Sequence, residues 1–393
     1  MNKKLSLAVA GAVLAFGASA ANAGIIIPAG DWTVDIGGNV NAFYTQTHVS
    51  GNKSTILGLG TDTGTQDVSN ITTGLLPNYL SVSGKTRQND LDVGFTISVN
   101  PGASTRQAGF QGAQQENRQA FVTFGDKSWG SIKLGKDLGI FASDAILNDM
   151  TLLGVGSAAG SLAGNTTTLG RIGTGYVYAD WKAQVAYSSP NWNGFSFTGG
   201  VTQAFNALEF DGGVGSNSRG GGTPAVEGKA SYEWAGDFAG KVWVSGIYQK
   251  IRNLGVAANN SEAYAGDVGA TVNVYGVGVT GYYYRGEGIG QTVQFLGGFD
   301  AKGDKRTSSG GYVQGTYVLP GIGTKLGVSW GESILDGGAG GGTVKDRMWT
   351  LGAYHPITKH LNLVAEYDDV KHRVNAVGSG YARTLALGAI LFF

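Results

Sequence analysis

Cysteine is absent from this 393-residue chain, and charged residues and proline are scarce. Without cysteine the chain can form no disulfide bond and no cysteine-based metal or redox site. Only 14% of the residues are charged, and 28 basic residues balance 28 acidic ones, so nothing indicates a nucleic-acid partner. Long apolar runs are missing as well. No segment after residue 23 approaches the roughly 18 apolar residues of a membrane-spanning helix.

The first 23 residues have the pattern of a secretory signal peptide. Lys3 and Lys4 precede an apolar stretch from Leu5 to Phe16, and Ala21-Asn22-Ala23 offers small side chains at both recognition positions of a cleavage site. A helical membrane anchor is the alternative, but the apolar stretch is too short to span about 30 Å of hydrocarbon. We expect a mature chain from Gly24 to the end, with 26 basic and 28 acidic residues and a net charge of −2.

The abundant residue types favour β structure. The chain has 68 glycines, 17 tyrosines and 16 phenylalanines, which suit short strands with aromatic ends and glycine-rich loops. Apolar residues alternate with polar ones along the first mature segment: Trp32, Val34, Ile36, Val40, Ala42 and Tyr44 against Thr33, Asp35, Asn39 and Asn41. Such a strand has one apolar and one wet face. A β-sandwich would alternate in the same way, so this pattern leaves two architectures open.

The lengths of the connections distinguish the two architectures. Sixteen strands are predicted, at 32–45, 78–86, 91–100, 116–125, 129–136, 174–188, 194–204, 227–235, 240–251, 263–274, 276–285, 311–319, 322–333, 347–355, 360–371 and 381–393. The connections after even-numbered strands are tight, and those after odd-numbered strands are mostly long. Short periplasmic turns that alternate with long external loops are typical of transmembrane barrels, as is an even number of strands. The last strand ends its apolar face on Phe393, which suits a rim position.

Other motifs give no support for catalysis. Residues 276–281 match G-x-G-x-x-G, but Tyr282-Tyr283-Tyr284 follows instead of a helix, so no dinucleotide cofactor is expected. The four histidines lack metal-ligand spacing, and no Gly-x-Ser-x-Gly elbow is present. We therefore predict no enzyme, no metal and no cofactor. An outer-membrane hydrolase stays open as an alternative, because residues distant in sequence can meet in space.

Three blocks of sequence carry a family resemblance. They are Asn117–Gly125 with Trp129–Lys136, the turn segment Gln184–Phe195 with its Tyr187-Ser188-Ser189-Pro190, and the terminal strand that ends in Phe393. With these blocks the chain resembles the general porins of Gram-negative outer membranes over nearly all of residues 24–393. The resemblance implies an all-β, sixteen-stranded antiparallel transmembrane barrel with an inward-folded third external loop, at about 137–170. It also implies a homotrimer surrounded by outer-membrane lipid and lipopolysaccharide.

In that family, acidic residues of the third loop face basic residues of the barrel wall. The resemblance places Asp144 and Asp149 on the acidic side, and Arg118, Arg171 and Lys136 on the basic side, of a pore constriction. The alternation of the strand argues against a pore-facing Lys136, because Lys136 shares the lipid-facing side with Ile132 and Leu134. Arg118 and Arg171 have a simpler interpretation, in which they sit at solvated strand ends and pair with loop acids.

The sequence departs from the family's pattern at two places. No arginine stands near Tyr79, and Thr151–Gly156 replaces the Pro-Glu-Phe-Gly-Gly tip of the loop. The sequence predicts a water-filled pore for passive diffusion of ions and small hydrophilic solutes. Two alternatives remain: a substrate-selective channel, which the altered tip favours, and a closed structural or adhesive barrel. If both aspartates line the constriction, replacing them with asparagine should lower any cation preference.

Overall fold

The computed structural model describes residues 24–51, 66–105, 115–158 and 166–393. Almost all regular structure in these residues is strand, and the nineteen strands form one closed antiparallel sheet. The strands are β1 Ile25–Ala29, β2 Trp32–Gly51, β3 Gln66–Thr72, β4 Tyr79–Gln88, β5 Leu91–Pro101, β6 Gln115–Glu116, β7 Ala120–Asp126, β8 Gly130–Leu138, β9 Trp181–Ser188, β10 Phe195–Thr202, β11 Ala225–Trp234, β12 Phe238–Leu254, β13 Asn259–Val274, β14 Val277–Glu287, β15 Thr307–Val318, β16 Lys325–Leu335, β17 Val344–Pro356, β18 Leu361–Val374 and β19 Gly378–Phe392.

Nineteen strands fill sixteen positions around the barrel. β3 and β4 share one position, because both pair with the same side of β2, at residues 43–49 and 33–39. β6 and β7 share another position beside β5. β1 is a short hairpin arm that pairs with the start of β2. β19 pairs with β2 and closes the ring, so the predicted sixteen-stranded antiparallel barrel is confirmed.

Alternation along each strand separates an outer apolar face from an inner polar face. On β17, Trp349 and Leu351 are exposed on the outside, whereas Met348 and Thr350 are buried on the inside. On β18, Glu366 and Asp368 point inward and Tyr367 points outward. A closed ring of this kind pairs the backbone groups of every strand with its neighbours, which lipid requires. Among the described residues, no helix is long and apolar enough to cross a bilayer.

The connections differ in length at the two ends of the barrel. At one end the turns are short, such as Asn89-Asp90 after β4 and Tyr275-Gly276 after β13. At the other end lie the long loops 139–180, 203–224 and 288–306. Two connections at the long-loop end are nevertheless short, 255–258 and 375–377.

The predicted strand bounds were wrong at one functionally important place. The strand expected at 174–188 begins at Trp181, because residues 174–180 belong to a segment packed inside the barrel. The predicted signal peptide, residues 1–23, lies outside the described residues and stays a prediction.

Candidate pore constriction

The loop between β8 and β9, residues 139–180, folds into the barrel, and we call it the inner loop. It is described at 139–158 and 166–180, and it contains a short helix, α1 Ser143–Leu147, and a 3₁₀ helix, Met150–Leu153. Its apolar side chains are almost wholly buried, including Phe141 and Met150 at 0% and 1% exposure. Burial of such a side chain stabilises by about 1.5–3 kcal/mol. The loop therefore forms a small core against the barrel wall instead of a flap over the mouth.

Glu227 of β11 fixes the start of the inner loop. One carboxylate oxygen accepts the backbone N–H groups of Ile140 and Phe141 at 2.8 and 2.9 Å. The other accepts the Lys182 ammonium at 2.6 Å and the Thr202 hydroxyl at 2.8 Å. Glu227 is 2% exposed, and its charge is balanced by Lys182. The loop thus leaves the wall at a fully paired buried carboxylate.

Glu366 of β18 fixes the far part of the loop in the same way. Its Oε2 accepts the backbone N–H groups of Val155 and Gly156 at 2.6 and 2.9 Å, and its Oε1 accepts the Tyr354 hydroxyl. Space here is tight, since a Cβ on Gly154 would lie 2.2 Å from this carboxylate. The loop consequently spans the wall from β11 to β18 between two glutamates.

Beyond Glu366, the tip of the loop reaches the segment between β3 and β4. The Leu75 N–H donates to the Gly154 carbonyl at 2.9 Å, and the Thr168 N–H donates to the Gly74 carbonyl at 3.2 Å. A Cβ on Gly74 would meet the Gly154 carbonyl oxygen at 2.2 Å, so only glycine allows this approach. These contacts carry the loop across the lumen.

Asp144, one of the five predicted constriction residues, sits on α1 beside two wall lysines. Its Oδ1 lies 2.6 Å from Lys241 Nζ, and its Oδ2 lies 3.1 Å from Lys229 Nζ. The Asp144 side chain is 4% exposed, whereas those of Lys229 and Lys241 are 25% and 23% exposed. Lys241 also contacts Glu233, at 3.0 Å. The groups that meet water here are therefore the lysines more than the aspartate.

Asp149 has a structural position. It caps the 3₁₀ helix, accepting the Thr151 N–H at 3.0 Å and the Thr151 hydroxyl at 2.7 Å. The Tyr176 hydroxyl donates to the same carboxylate at 2.9 Å. Asp149 is 0% exposed. Its carboxylate holds the loop together and does not face an open passage.

Arg171 belongs to the inner loop and not to the wall. Its guanidinium donates to the Met348 carbonyl at 3.0 Å and to the Thr350 hydroxyl at 3.2 Å, and the side chain is fully buried. Thr350 in turn donates to Asp368 at 2.7 Å. Arg171 thereby ties the returning arm of the loop to β17.

Arg118 and Lys136 lie away from Asp144 and Asp149. Arg118 follows β6 and pairs with Glu116 at 2.8 Å, and it also donates to Thr166 of the inner loop at 3.1 Å. Lys136 shares the outer face of β8 with the exposed Leu134, and it donates to the Asn117 carbonyl at 2.8 Å. Among the described residues, no ion pair joins any two of the five predicted constriction residues.

A second loop, 288–306 between β14 and β15, braces the returning arm of the inner loop. Gln294 donates to the Ala179 carbonyl at 3.0 Å, and the Tyr178 N–H donates to the Thr292 carbonyl at 2.8 Å. Gln291 donates to Asp346 of β17 at 2.6 Å. The inner loop is therefore held from the wall side and from the mouth side.

The rest of the wall, from β4 to β10, carries many hydroxyl groups on its inner face, beside charged pairs such as Arg87 with Asp92. Cross-strand hydrogen bonds at 2.9 Å join Ser83 to Thr96 and Ser188 to Thr198. These side chains are half-buried, unlike those beneath the inner loop. Lys133 adds a charge and pairs with Asp137 on the same strand. This polar surface completes the ring beside β11 to β18, the strands that hold the inner loop.

The residues that organise the site were missed by the sequence reasoning. Glu227, Glu366, Lys229 and Lys241 are not in the predicted set. Each is a charged residue at an inward position of an alternating strand, which was the only available signal. Alternation identifies the inward face of a strand, but it does not identify which inward residues contact the inner loop.

Comparisons with known proteins agree with this geometry. A family model described as Gram-negative porin matches residues 8–375. The outer membrane channel DcaP of Acinetobacter baumannii is similar in structure, with a TM-score of 0.70 and 15% identity over 93% of this chain and 99% of that one. An anion-selective porin from Comamonas acidovorans gives a TM-score of 0.62 and 14% identity, with 92% and 100% covered. OmpF of Salmonella typhi gives 0.57 and 15%, with 93% and 100% covered. No curated protein sequence matches significantly.

Proposed function

The chain belongs to the Gram-negative porin family, and we propose that its narrowest passage lies between the inner loop and the hydroxyl-bearing wall of β4 to β10. As a porin it forms an outer-membrane channel for the diffusion of small solutes, and this family and fold indicate a channel rather than an enzyme. The observation that carries the proposal is the fixed position of the inner loop, which Glu227 and Glu366 pin across the lumen. A sixteen-stranded barrel is wide enough to leave an aqueous path beside such a loop.

The charges that support a function at the constriction are Lys229, Lys241, Asp144 and Glu233. The two partly exposed ammonium groups share the buried Asp144 carboxylate, and Lys241 also pairs with Glu233, which is 54% exposed. Arg171 ties the inner loop to β17, Asp149 caps its 3₁₀ helix, and Arg118 donates a hydrogen bond to Thr166 of the same loop. We propose that the two lysines, Glu233 and the facing hydroxyl groups contact permeating ions and small hydrophilic solutes.

Planar-bilayer recording tests this function. The purified barrel should add discrete ohmic conductance steps, and its reversal potential in a salt gradient measures the ion preference. Failure to conduct would support the closed structural barrel instead. A substrate-selective channel would show saturable block by one class of solute. A general pore would show flux that falls smoothly with solute size.

The assembly and processing of the chain complete the proposal. We expect a homotrimer in contact with outer-membrane lipid and lipopolysaccharide, and a mature chain that begins at Gly24 after removal of residues 1–23. Native mass spectrometry of the detergent-extracted protein measures both, because it reports the number of subunits and the mass of each. A monomer, or a mass that includes residues 1–23, would contradict these expectations.

A further inference from the structure

The segment between β3 and β4, residues 73–78, leaves the sheet and enters the barrel, and we call it the inward bulge. β3 pairs with β2 only as far as Phe43, and β4 pairs with β2 only as far as Asn39. The six residues of the bulge therefore stand beside only three residues of β2, 40–42, and the surplus cannot stay in the ladder. All six are buried, and Leu75 and Leu76 join the apolar cluster of the inner loop.

Two asparagines of β2 hold the inward bulge, and we call their side chains the asparagine clasp. Asn41 Oδ1 accepts the Gly74 N–H at 2.9 Å, and Asn41 Nδ2 donates to the Leu76 carbonyl at 3.0 Å. The same Nδ2 donates to Asn39 Oδ1 at 2.8 Å, and Asn39 Nδ2 donates to the Pro77 carbonyl at 2.9 Å. Asn39 and Asn41 are 1% and 2% exposed. The clasp thus supplies hydrogen bonds that a strand partner would give elsewhere in the sheet.

The clasp depends on the chemistry of a carboxamide. Such a group offers two donor hydrogens and an acceptor oxygen, and Asn41 uses all of them. Its backbone is bound as well, because the Asn41 N–H donates to Asn78 Oδ1 at 2.6 Å. An apolar side chain of similar size at this position would deprive the Gly74 N–H and the Leu76 carbonyl of these partners. Buried backbone groups without partners are costly, so the bulge would be loosened.

The inward bulge in turn holds both arms of the inner loop. The Leu75 N–H donates to the Gly154 carbonyl on the outgoing arm at 2.9 Å, and the Gly74 carbonyl accepts the Thr168 N–H on the returning arm at 3.2 Å. The Leu75 side chain packs against Gly170, where an added Cβ would lie 2.2 Å from Leu75 Cδ2. The clasp is therefore connected to the tip of the inner loop through the bulge.

We propose that Asn39 and Asn41 are positioning residues of the pore, which hold the tip of the inner loop against β2 and keep it out of the passage. The other attachments of the loop, Glu227, Arg171 and Glu366, lie on β11, β17 and β18, and β19 separates β18 from β2. A tip released from β2 swings about Glu366 and narrows the passage for short times. This inference rests on the passage proposed above, because it assigns what fixes one of its borders.

Three substitutions in the full-length barrel test the clasp. Asn41→Leu keeps the size of the side chain and removes its hydrogen bonds. Asn39→Ala removes the bonds to Pro77 and Asn41 only, so this milder change keeps the test valid where Asn41→Leu does not fold. Asn100→Leu is the matched control, because Asn100 is a 3% exposed asparagine of β5 whose Oδ1 accepts the Ser98 hydroxyl at 3.1 Å.

Single-channel currents measure the passage, and amide hydrogen exchange in detergent measures the bulge and the loop directly. Asn41→Leu should keep the main conductance level but spend about 10- to 100-fold more time in partly closed levels, which corresponds to about 1.4–2.8 kcal/mol, as expected for two lost hydrogen bonds. Exchange in peptides 73–78 and 150–158 should accelerate together. Asn39→Ala should give the same changes at about 3- to 10-fold, as expected for one lost bond to the bulge. Asn100→Leu should match the parent protein in both measurements.

Three results would overturn the proposal. Quiet openings and parent-like exchange in Asn41→Leu would show that the clasp does not position the loop. Equal partly closed levels in Asn100→Leu would mean that any buried asparagine lost from the wall loosens the barrel. Faster exchange in 73–78 with no change in 150–158 would show that the bulge moves without the loop. A parent protein that does not conduct would instead refute the proposed pore, and exchange in 150–158 would still decide whether the clasp holds the loop.

Discussion

Replacement of Asp144 by asparagine should make the channel more anion-selective. Asp144 is the carboxylate that Lys229 and Lys241 share, at 3.1 and 2.6 Å. Asparagine keeps the shape of the side chain but removes its negative charge, so the surface around two partly exposed ammonium groups gains one net positive charge. A loss of cation preference was expected from the sequence on different grounds, namely that the carboxylate itself lines the passage.

The size of the effect follows from Coulomb's law. One charge at roughly 7 Å from an ion in water contributes about 0.6 kcal/mol, and screening at 0.1 M salt reduces this to about 0.3 kcal/mol. Such an energy raises the local anion concentration by about 1.7-fold and lowers that of cations by the same factor. The ratio of anion to cation permeability should therefore increase about threefold.

The assay is the reversal potential of a bilayer under a potassium chloride gradient, measured for single channels so that conductance is known as well. Lys241→Gln in the Asp144→Asn background removes one positive charge and should restore the original reversal potential. Asp149→Asn is the matched control, because this carboxylate is fully buried against Thr151 and Tyr176 and should not alter selectivity. An unchanged potential in Asp144→Asn, or a shift of equal size in Asp149→Asn, would refute the reasoning.

Three further substitutions test how the inner loop is held. Glu366→Gln should weaken the bonds that the carboxylate accepts, by about 1.5–3 kcal/mol, and give current noise or substates in single-channel records; quiet parent-like openings would argue against this anchor. Gly154→Ala should displace the tip and change conductance, because its Cβ would lie 2.2 Å from the Glu366 carboxylate, whereas Gly199→Ala has open space and should change nothing. Equal conductances in the two would contradict the packing. Lys182→Met should leave Glu227 buried without its cation, at a cost of about 3–5 kcal/mol, and lower the urea midpoint of unfolding. An unchanged midpoint would show that the pair contributes no net stability.

The fold could be predicted from the sequence because its signals are local. Period-two alternation and connection length each depend on neighbouring residues, and together they predicted sixteen strands and a closed barrel. Where the prediction failed, local sequence was ambiguous: residues 174–180 can read as strand, but tertiary packing draws them into the lumen beside Tyr312 and Ser333. The strand β3 was missed, and it shares its barrel position with β4. The strand predicted at 116–125 is divided into β6 and β7.

The site could be predicted only as a region. The family resemblance implied an inward-folded loop between β8 and β9, and the structure buries its apolar residues, such as Phe141 and Met150. Arg171 and Asp149 were expected to face a passage and are instead fully buried. No property of either residue type distinguishes a supporting role from a pore-lining role, since both need polar partners.

The sequence by itself therefore determined the alternation, the number of barrel positions and the end that carries the long loops, because each depends on residues close together in the chain. The place of the inner loop came from the family resemblance. Only the tertiary structure decided that Glu227 and Glu366 hold that loop, and that Asp144 is shared by Lys229 and Lys241. The partners in these contacts lie between 85 and 211 residues apart. Barrel closure and strand register bring them together, and neither can be computed from a pattern along one strand.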